Sequence, residues 1–270
     1  MKDLFDLKGE IAVVTGGLGK LGPMWIEALL EAGSAVFALD RPGQKISDQF
    51  RELENSFGRN RLRLAYADVR DRSALEEVCR KCVETFGVPS ILVNNAGIDR
   101  PPDKLAEGYH LEDIPLEENR EIFEVNSLGL FLVAQVFGGQ MVKEGRGSII
   151  NIGSLYASVS PDSRFYDHLQ SDPPFLKPPA YGASKAAVVN LTRYLATHWA
   201  SHGVRVNTLS PGGVVGDQDE EFKRKFCDRV PLGRMATASD LCGPLLFLAS
   251  QASSYVTGIE LVVDGGFTAW

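Results

Sequence analysis

A tyrosine and a lysine stand four positions apart in the stretch YGASK, Tyr181 to Lys185. Residues with this spacing lie on one face of a helix, so the two side chains would point in the same direction. A phenol with a pKa of about 10 is a poor base at neutral pH, but a neighbouring ammonium group stabilises its ionised form. The pair therefore predicts a tyrosine that can exchange a proton with a hydroxyl or carbonyl group.

A glycine-rich turn, TGGLGKLG at Thr15 to Gly22, lies between the first apolar run and the first helical pattern. Glycines at such a place let the backbone turn tightly and approach a pyrophosphate at the N-terminus of the helix. We therefore expect a dinucleotide here. The residues predicted to contact it are Gly16, Leu18, Gly19, Lys20, Leu21 and Gly22.

The second apolar run ends at Asp40, 18 residues after Gly22. A carboxylate at this position accepts hydrogen bonds from the ribose hydroxyls of an adenosine. It would also repel a 2′-phosphate, which favours NAD over NADP. Arg41 and Lys20 leave NADP open as the alternative, because either side chain can pair with that phosphate.

Further polar or glycine residues follow the later strands, where ligands of open α/β sheets bind. Asp68 ends the third run and is predicted to bond the adenine amino group, and NNAG at Asn94 to Gly97 ends the fourth. The additional predicted cofactor contacts are Val69, Asn95, Ala96, Gly97, Pro211, Gly212 and Val214.

Short apolar runs alternate with helical periodicity along the 270 residues. Seven such runs separated by helical segments predict βαβ units in a doubly wound, mostly parallel seven-stranded sheet flanked by helices. We find no repeat and no linker, so residues 1–270 are predicted to form one α/β domain. Long helices are expected at about 116–143 and 179–201.

The net charge of −7 argues against a nucleic-acid partner, which would need a basic patch. The chain begins with acidic residues and no apolar signal segment, and no run approaches the roughly 18 apolar residues that a membrane span needs, so we expect a cytoplasmic protein. Cys79 and Cys82 fall on the apolar face of a helical pattern, which favours burial over a redox or metal role. His198 and His202 lack an evident third ligand, so no metal site is predicted.

Together the motifs resemble the short-chain dehydrogenase/reductase superfamily over nearly the whole chain. The resemblance rests on TGGLGKLG, NNAG, FEVNSLG, INIGS, YGASK, SPGG at 210–213 and LVVDGG. It implies a Rossmann-type fold, a nicotinamide cofactor and a catalytic tetrad of Asn126, Ser154, Tyr181 and Lys185. It also implies a homotetramer or homodimer. Lys20 departs from the pattern, because it stands where the family places a glycine.

The resemblance assigns a role to each member of the tetrad. Tyr181 would exchange the proton, Ser154 would bond the reacting oxygen, and Lys185 would hold the nicotinamide ribose and favour the ionised tyrosine. Asn126 would support a water link to the lysine.

Ser154 and Tyr181 are 27 positions apart, about twice the usual separation in this family. The extra segment, about 157–178, is rich in proline and is predicted to lie beside the substrate cleft. A subunit-interface or surface loop is the alternative. The predicted substrate contacts are Ser154, Tyr156, Arg164, Tyr166, His168, Tyr181 and Gly213.

These observations predict an NAD(H)-dependent oxidoreductase that interconverts a secondary alcohol and a ketone of a small-molecule substrate. Resemblance to carbohydrate-pathway members of the family favours a sugar, a sugar acid or a nucleotide-linked sugar. Three alternatives stay open: a 3-oxoacyl or generic ketone reductase, a nucleotide-sugar epimerase or dehydratase, and a dinucleotide-binding sensor without turnover.

Overall fold

The computed structural model describes residues 2–100, 108–169 and 171–270. Its centre is a seven-stranded sheet in the order β3-β2-β1-β4-β5-β6-β7, and every neighbouring pair runs parallel. The strands are β1 (Ile11–Thr15), β2 (Ala35–Asp40), β3 (Leu62–Tyr66), β4 (Ile91–Asn94), β5 (Gly147–Ile152), β6 (Val204–Pro211) and β7 (Glu260–Val263). The predicted doubly wound α/β fold is confirmed, and the sheet is parallel throughout.

Helices cover both faces of the sheet. They are α1 (Gly22–Glu31), α2 (Asp48–Phe57), α3 (Arg72–Thr85), α4 (Leu116–Phe123), α5 (Leu130–Val133), α6 (Gly139–Glu144), α7 (Pro179–Trp199), α8 (Glu220–Cys227) and α9 (Ala238–Ala249). Alternate residues of a strand point to opposite faces. Val14 accordingly packs in the core with α1, α2 and α9, while Val13 packs in the core with α3, α5 and α7.

Two π-helical segments, Glu124–Gly129 and Ala134–Gly138, join α4, α5 and α6. The result is one continuous helical element, Leu116–Glu144, in place of the regular helix predicted at 116–143. Among the described residues it is the one helix that is long and apolar enough to cross a membrane, with a mean hydropathy of 1.5. The expectation that no such segment exists was wrong. Its apolar character has a structural reason, because Val133, Phe137 and Met141 are fully buried in the core.

The cysteine pair lies inside this core, as predicted. Cys79 and Cys82 are buried, unpaired thiols on α3. Burial raises the pKa of the Cys79 thiol to about 11 and that of Cys82 to about 12, so neither ionises readily. Within the described part of the chain, no group of three or more His, Cys, Asp or Glu residues is placed to hold a metal ion.

Candidate active site

The first turns of α7 bring Tyr181 and Lys185 together. The Lys185 ammonium nitrogen lies 5.9 Å from the centre of the Tyr181 ring and donates to the carbonyl oxygen of Ile152 at 2.8 Å. Burial lowers the pKa of Lys185 to about 8. Burial raises the pKa of Tyr181, Asp99 raises it further, and a hydrogen bond with Ser154 acts in the opposite direction. An ionised Tyr181 therefore depends on the positive charges around it.

Ser154 follows β5 and lies beside Tyr181, where it acts against the rise in the pKa of that tyrosine. Its hydroxyl also accepts a hydrogen bond from the backbone N–H of Tyr156 at 3.2 Å, which fixes the side chain at the start of a 3-10 turn, Leu155–Ala157. Gly182 allows α7 to lie close to this turn, because a Cβ atom on residue 182 would lie 2.9 Å from the carbonyl oxygen of Tyr156. The second residue of YGASK thus lets α7 pack against the segment that carries Ser154.

Asn126 lies fully buried in the first π-helical segment. Its side-chain oxygen accepts from the N–H of Ile98 at 2.7 Å, and its nitrogen donates to the carbonyl of Ile98 at 2.9 Å and to the Ser184 hydroxyl at 3.2 Å. A Cβ atom on Gly97 would lie 3.2 Å from Asn126 Oδ1 and 3.6 Å from Lys185 Nζ. Asn126 therefore fixes the end of the NNAG segment beside Lys185, a structural role that the sequence did not predict.

The glycine turn packs its backbone closely enough to exclude side chains. Gly16 has a φ of +65°, and a Cβ atom on it would lie 2.9 Å from Ala96 Cα. A Cβ atom on Gly22 would lie only 2.3 Å from the Gly16 carbonyl oxygen. The Asn95 side chain donates to the carbonyls of Thr15 and Gly16 at 3.0 and 3.1 Å, which joins the turn to the end of β4.

The N-terminus of α1 behind this turn lacks a side-chain cap and has no acidic residue in its first turn. By contrast, Ser47, Asp71 and Asp219 cap α2, α3 and α8. Uncapped N–H groups at a helix N-terminus, with the positive end of the helix dipole, favour a phosphate group. The turn and helix therefore fit the pyrophosphate of a dinucleotide.

Asp40 lies at the end of β2, as predicted. Its Oδ2 accepts from the N–H of Leu18 at 2.8 Å, and its Oδ1 accepts from the N–H of Arg41 at 2.8 Å. The carboxylate is thus held against the glycine turn, while the Arg41 side chain is exposed. The side chain of the exposed Lys20 lies against Gly216. A Cβ atom on Gly216 would lie 2.3 Å from Lys20 Nζ.

Asp68 has a partner that the sequence analysis missed. Arg70 approaches it to 2.6 Å, and this hydrogen bond holds the pKa of Asp68 below its usual value. The neighbouring Val69 is buried against the first π-helical segment, where a Cβ atom on Gly129 would lie 2.7 Å from it. The role of Asp68 toward adenine stays a prediction.

The residues after β6 are held in place at the same edge of the sheet. The N–H of Gly212 donates to the carbonyl of Val263 at 2.9 Å, and Val214 forms a parallel bridge with Ala236. A Cβ atom on Gly213 would lie 2.5 Å from the ring of Phe226 in α8. Gly213 thus permits close packing of α8, and its predicted contact with substrate stays a prediction.

The insertion is packed rather than loose, and its anchor is aromatic. Phe165 and Tyr166 are buried, and their rings contact those of Phe175, Phe222, Phe226 and Phe267 at centroid distances of 4.7–6.2 Å. Tyr166 and Tyr156 also influence each other's pKa, and the ring of Tyr156 meets that of Tyr181 edge-on at 6.4 Å. The insertion therefore reaches the active site through a chain of three tyrosines.

Two polar residues of the insertion, Arg164 and His168, are predicted to contact substrate, and they differ in their surroundings. The Arg164 side chain is 76% exposed and pairs with Asp162 at 2.6 Å. His168 is mostly buried, and its Nε2 lies 2.9 Å from Oδ1 of Asp219, the N-cap residue of α8. These contacts join parts of the protein to one another, so the roles of Arg164 and His168 toward substrate stay predictions.

Two residues beside Tyr181 were not among the predicted site residues. The Lys177 ammonium lies 4.9 Å from the centre of the Tyr181 ring and 5.6 Å from that of Tyr156. It also pairs with Asp99 at 2.6 Å. The only sequence signal was a lysine between prolines, four positions before Tyr181, and the partner Asp99 is too distant in sequence to be inferred.

Comparison with known proteins identifies the family of the chain. A family model described as enoyl-(acyl carrier protein) reductase matches residues 21–268. Galactitol 2-dehydrogenase (L-tagatose-forming) from Cereibacter sphaeroides is 34% identical over 275 residues, covering 100% of this chain and 99% of the relative. The chain belongs to the short-chain dehydrogenase/reductase family.

Other members agree with this assignment. A 2-dehydro-3-deoxy-D-gluconate 5-dehydrogenase from Dickeya dadantii is 34% identical, covering 98% of each chain. The structure of a gluconate 5-dehydrogenase from Burkholderia cenocepacia, in complex with NADP and tartrate, superposes with a TM-score of 0.85 at 31% identity, covering 100% of this chain and 99% of that one. A short-chain dehydrogenase from Leptospira borgpetersenii with bound NAD⁺ has a TM-score of 0.82 at 32% identity, with coverages of 97% and 94%.

This short-chain dehydrogenase/reductase is therefore an NAD(P)-dependent oxidoreductase that acts on CH–OH groups. It interconverts a secondary alcohol and a ketone by hydride transfer. The solved relatives carry either NADP or NAD⁺, so family membership alone gives NAD(P) without a preference.

Proposed function

We propose that this protein oxidises a secondary hydroxyl group of a polyol or sugar acid, or reduces the corresponding ketone, with NAD(H) as cofactor. The observation that carries the proposal is the position of Tyr181, with Ser154 beside it and the Lys185 ammonium nitrogen 5.9 Å from the centre of its ring. The relatives named for galactitol and for gluconate derivatives support the carbohydrate class.

Each polar group of the site has a distinct task in this proposal. The cofactor supplies or accepts the hydride. Tyr181 donates a proton to the carbonyl oxygen during reduction, or accepts it from the hydroxyl during oxidation. Ser154 donates a hydrogen bond to the reacting oxygen and fixes its position. Lys185 stabilises ionised Tyr181 and holds the ribose, and Asn126 keeps the backbone beside Lys185 in place.

The preference for NAD rests on Asp40. Its carboxylate lies against the turn that fits the pyrophosphate, so a 2′-phosphate on the adenosine ribose would meet a negative charge there. Arg41 is exposed next to it and can pair with such a phosphate, which gives NADP a weaker route to binding.

Carrier-bound 3-oxoacyl substrates are the less favoured alternative. CoA and acyl carrier protein are anionic, and the segment that leads into α8 and forms its first turn contains Asp217, Asp219, Glu220 and Glu221. Like charges across an encounter surface slow association and weaken binding. A neutral or singly charged small substrate avoids this repulsion.

A substrate screen tests the function directly. Purified protein is offered galactitol, arabinitol, gluconate and simple secondary alcohols with NAD⁺ or NADP⁺, and a 3-oxoacyl-CoA with NADH or NADPH, while NADH or NADPH absorbance is followed. We expect the highest kcat/KM for a polyol or sugar acid with NAD⁺. A higher value for the 3-oxoacyl-CoA would overturn the proposed substrate class.

We also propose a homotetramer or homodimer. Several large apolar side chains are exposed on helices: Leu116, Leu128 and Tyr194 are 64%, 62% and 56% exposed. On edge strand β7, Val262 is 38% exposed, and Trp270 at the C-terminus is 75% exposed. Such surface is commonly buried between subunits. Light scattering on the purified protein would give a mass of two or four chains, and a monomer would contradict this.

A further inference from the structure

An ion pair joins the insertion to the end of β4. Lys177 Nζ lies 2.6 Å from Oδ2 of Asp99, which follows Gly97 by two residues. The Lys177 side chain is only 9% exposed, and that of Asp99 is 37% exposed. A charge held in so little water acts strongly on its neighbours.

This pair faces the group that exchanges the proton. Lys177 lies nearer to the centre of the Tyr181 ring than Lys185 does, at 4.9 Å against 5.9 Å. Charged and titratable groups reach Tyr181 from four parts of the chain. They are Asp99 after β4, Tyr156 after β5, Lys177 in the insertion and Lys185 in α7 itself, with the hydroxyl of Ser154 beside them.

Asp99 is the carboxylate that opposes ionisation of this tyrosine. After burial, it is the largest influence that raises the pKa of Tyr181, and it also contributes to a raised pKa at Tyr156 and Tyr166. An unpaired carboxylate at this place would disfavour the ionised form of Tyr181 still further. A cation that both pairs with Asp99 and lies over the phenol ring offsets that influence.

We propose that Lys177 neutralises Asp99 beside Tyr181, and that this ion pair sets the pH range in which Tyr181 exchanges its proton. Lys177 acts through Tyr181 and does not need to touch the substrate. The inference rests on the proposed role of Tyr181. It gives the insertion an electrostatic function in catalysis besides its predicted place beside the substrate cleft.

The alternative is that the pair only fastens the insertion to the sheet. In that case, loss of the ion pair would lower the free energy of unfolding and raise KM, but it would leave the titration of Tyr181 unchanged. The two roles are therefore separated by measuring the ionisation of Tyr181 itself.

The experiment follows phenolate absorbance against pH in the NAD⁺ complex, with the Tyr181→Phe variant subtracted to isolate Tyr181. We expect Lys177→Met to shift the midpoint upward by about one pH unit or more, and Asp99→Asn to shift it downward. Lys177→Arg should keep the wild-type midpoint, because the charge is retained. The double variant Asp99→Asn/Lys177→Met should return close to the wild-type value.

The pH dependence of kcat, measured on the best substrate of the screen, should move in the same directions. Circular dichroism confirms that each variant is folded, and Asp99→Asn provides a second test if Lys177→Met is not. A Tyr181 titration that is present but does not move in these variants overturns this inference alone. Absence of any Tyr181-dependent titration overturns the role of Tyr181, and this inference with it.

Discussion

The ammonium nitrogen of Lys185 lies 2.8 Å from the carbonyl oxygen of Ile152, the last residue of β5. The end of β5 therefore fixes the position of the Lys185 ammonium group, one helical turn after Tyr181 in α7. The same backbone segment leads directly into Ser154. One strand terminus thus positions two of the four groups that the proposed reaction requires.

Burial of Lys185 predicts a specific pH dependence of stability. Its pKa falls from 10.5 to about 8 on folding, so the unfolded chain binds more protons between those values. The contribution of Lys185 to the free energy of unfolding therefore rises with pH across this window and is least favourable below about pH 8. The total change is on the order of 3 kcal/mol.

Urea unfolding of wild type and Lys185→Met across that window measures this effect. The free energy of unfolding of the wild type should increase relative to that of the variant as the pH rises. Equal pH slopes for the two proteins would show that Lys185 is not a buried cation.

Asp40 is predicted to decide between the two cofactors. Asp40→Ala removes the carboxylate that accepts from Leu18 N–H and would meet the ribose. NADH affinity should fall by about tenfold, which corresponds to about 1.4 kcal/mol, while NADPH affinity should fall less or rise. Fluorescence titration measures both, with Arg41→Ala as the matched control, which should weaken NADPH binding selectively. An unchanged NADH to NADPH ratio in Asp40→Ala would contradict the assignment.

Gly22 and Gly139 offer a matched pair for the cofactor turn. Gly22 begins α1 and Gly139 lies inside the continuous helical element Leu116–Glu144, but an added Cβ atom meets the Gly16 carbonyl at 2.3 Å in the first case and nothing within 4 Å in the second. Gly139→Ala should stabilise the protein by about 0.5–1 kcal/mol and leave NADH affinity unchanged. Gly22→Ala should displace the turn and weaken NADH binding by more than about tenfold. Similar NADH affinities for the two variants would argue against a pyrophosphate site at this turn.

The aromatic anchor of the insertion predicts a separation between substrate and cofactor binding. Phe165→Ala removes a ring that is 2% exposed, and the usual cost of such a change is about 3–5 kcal/mol. KM for the substrate should rise while NADH affinity stays close to wild type. Denaturant unfolding and steady-state kinetics check both effects, with Phe5→Ala, at a position 45% exposed, as the control. An equal loss of substrate and cofactor binding would instead indicate a general structural role for the insertion.

Periodicity and motif spacing were sufficient to predict the strand–helix alternation, because the strands are short, mostly apolar runs bounded by turns, as in Ile11–Thr15 and Ile91–Asn94. The Tyr181–Lys185 pair could also be predicted from the sequence, since residues four positions apart share a helix face. The π-helical segment around Asn126 could not be predicted from the sequence, because it differs from an α-helix only in hydrogen-bond register.

The Asp99–Lys177 pair could not be predicted for a different reason. Its members are 78 positions apart and meet only through tertiary packing of the insertion. The aromatic packing of Phe165 against Phe226 and Phe267 is equally non-local. Short-range patterns indicate that the insertion lies after Ser154, but they do not determine which of its side chains face Tyr181.

The most direct measurement compares three tyrosine-to-phenylalanine variants for turnover and NADH affinity. We expect Tyr181→Phe to abolish turnover while NADH binds nearly as in wild type, because only the proton-exchanging hydroxyl is lost. Tyr156→Phe and Tyr166→Phe should keep measurable turnover, since neither hydroxyl exchanges the proton in the proposed reaction. An active Tyr181→Phe variant, or an inactive Tyr166→Phe variant beside it, would contradict the central claim that Tyr181 carries the acid–base step.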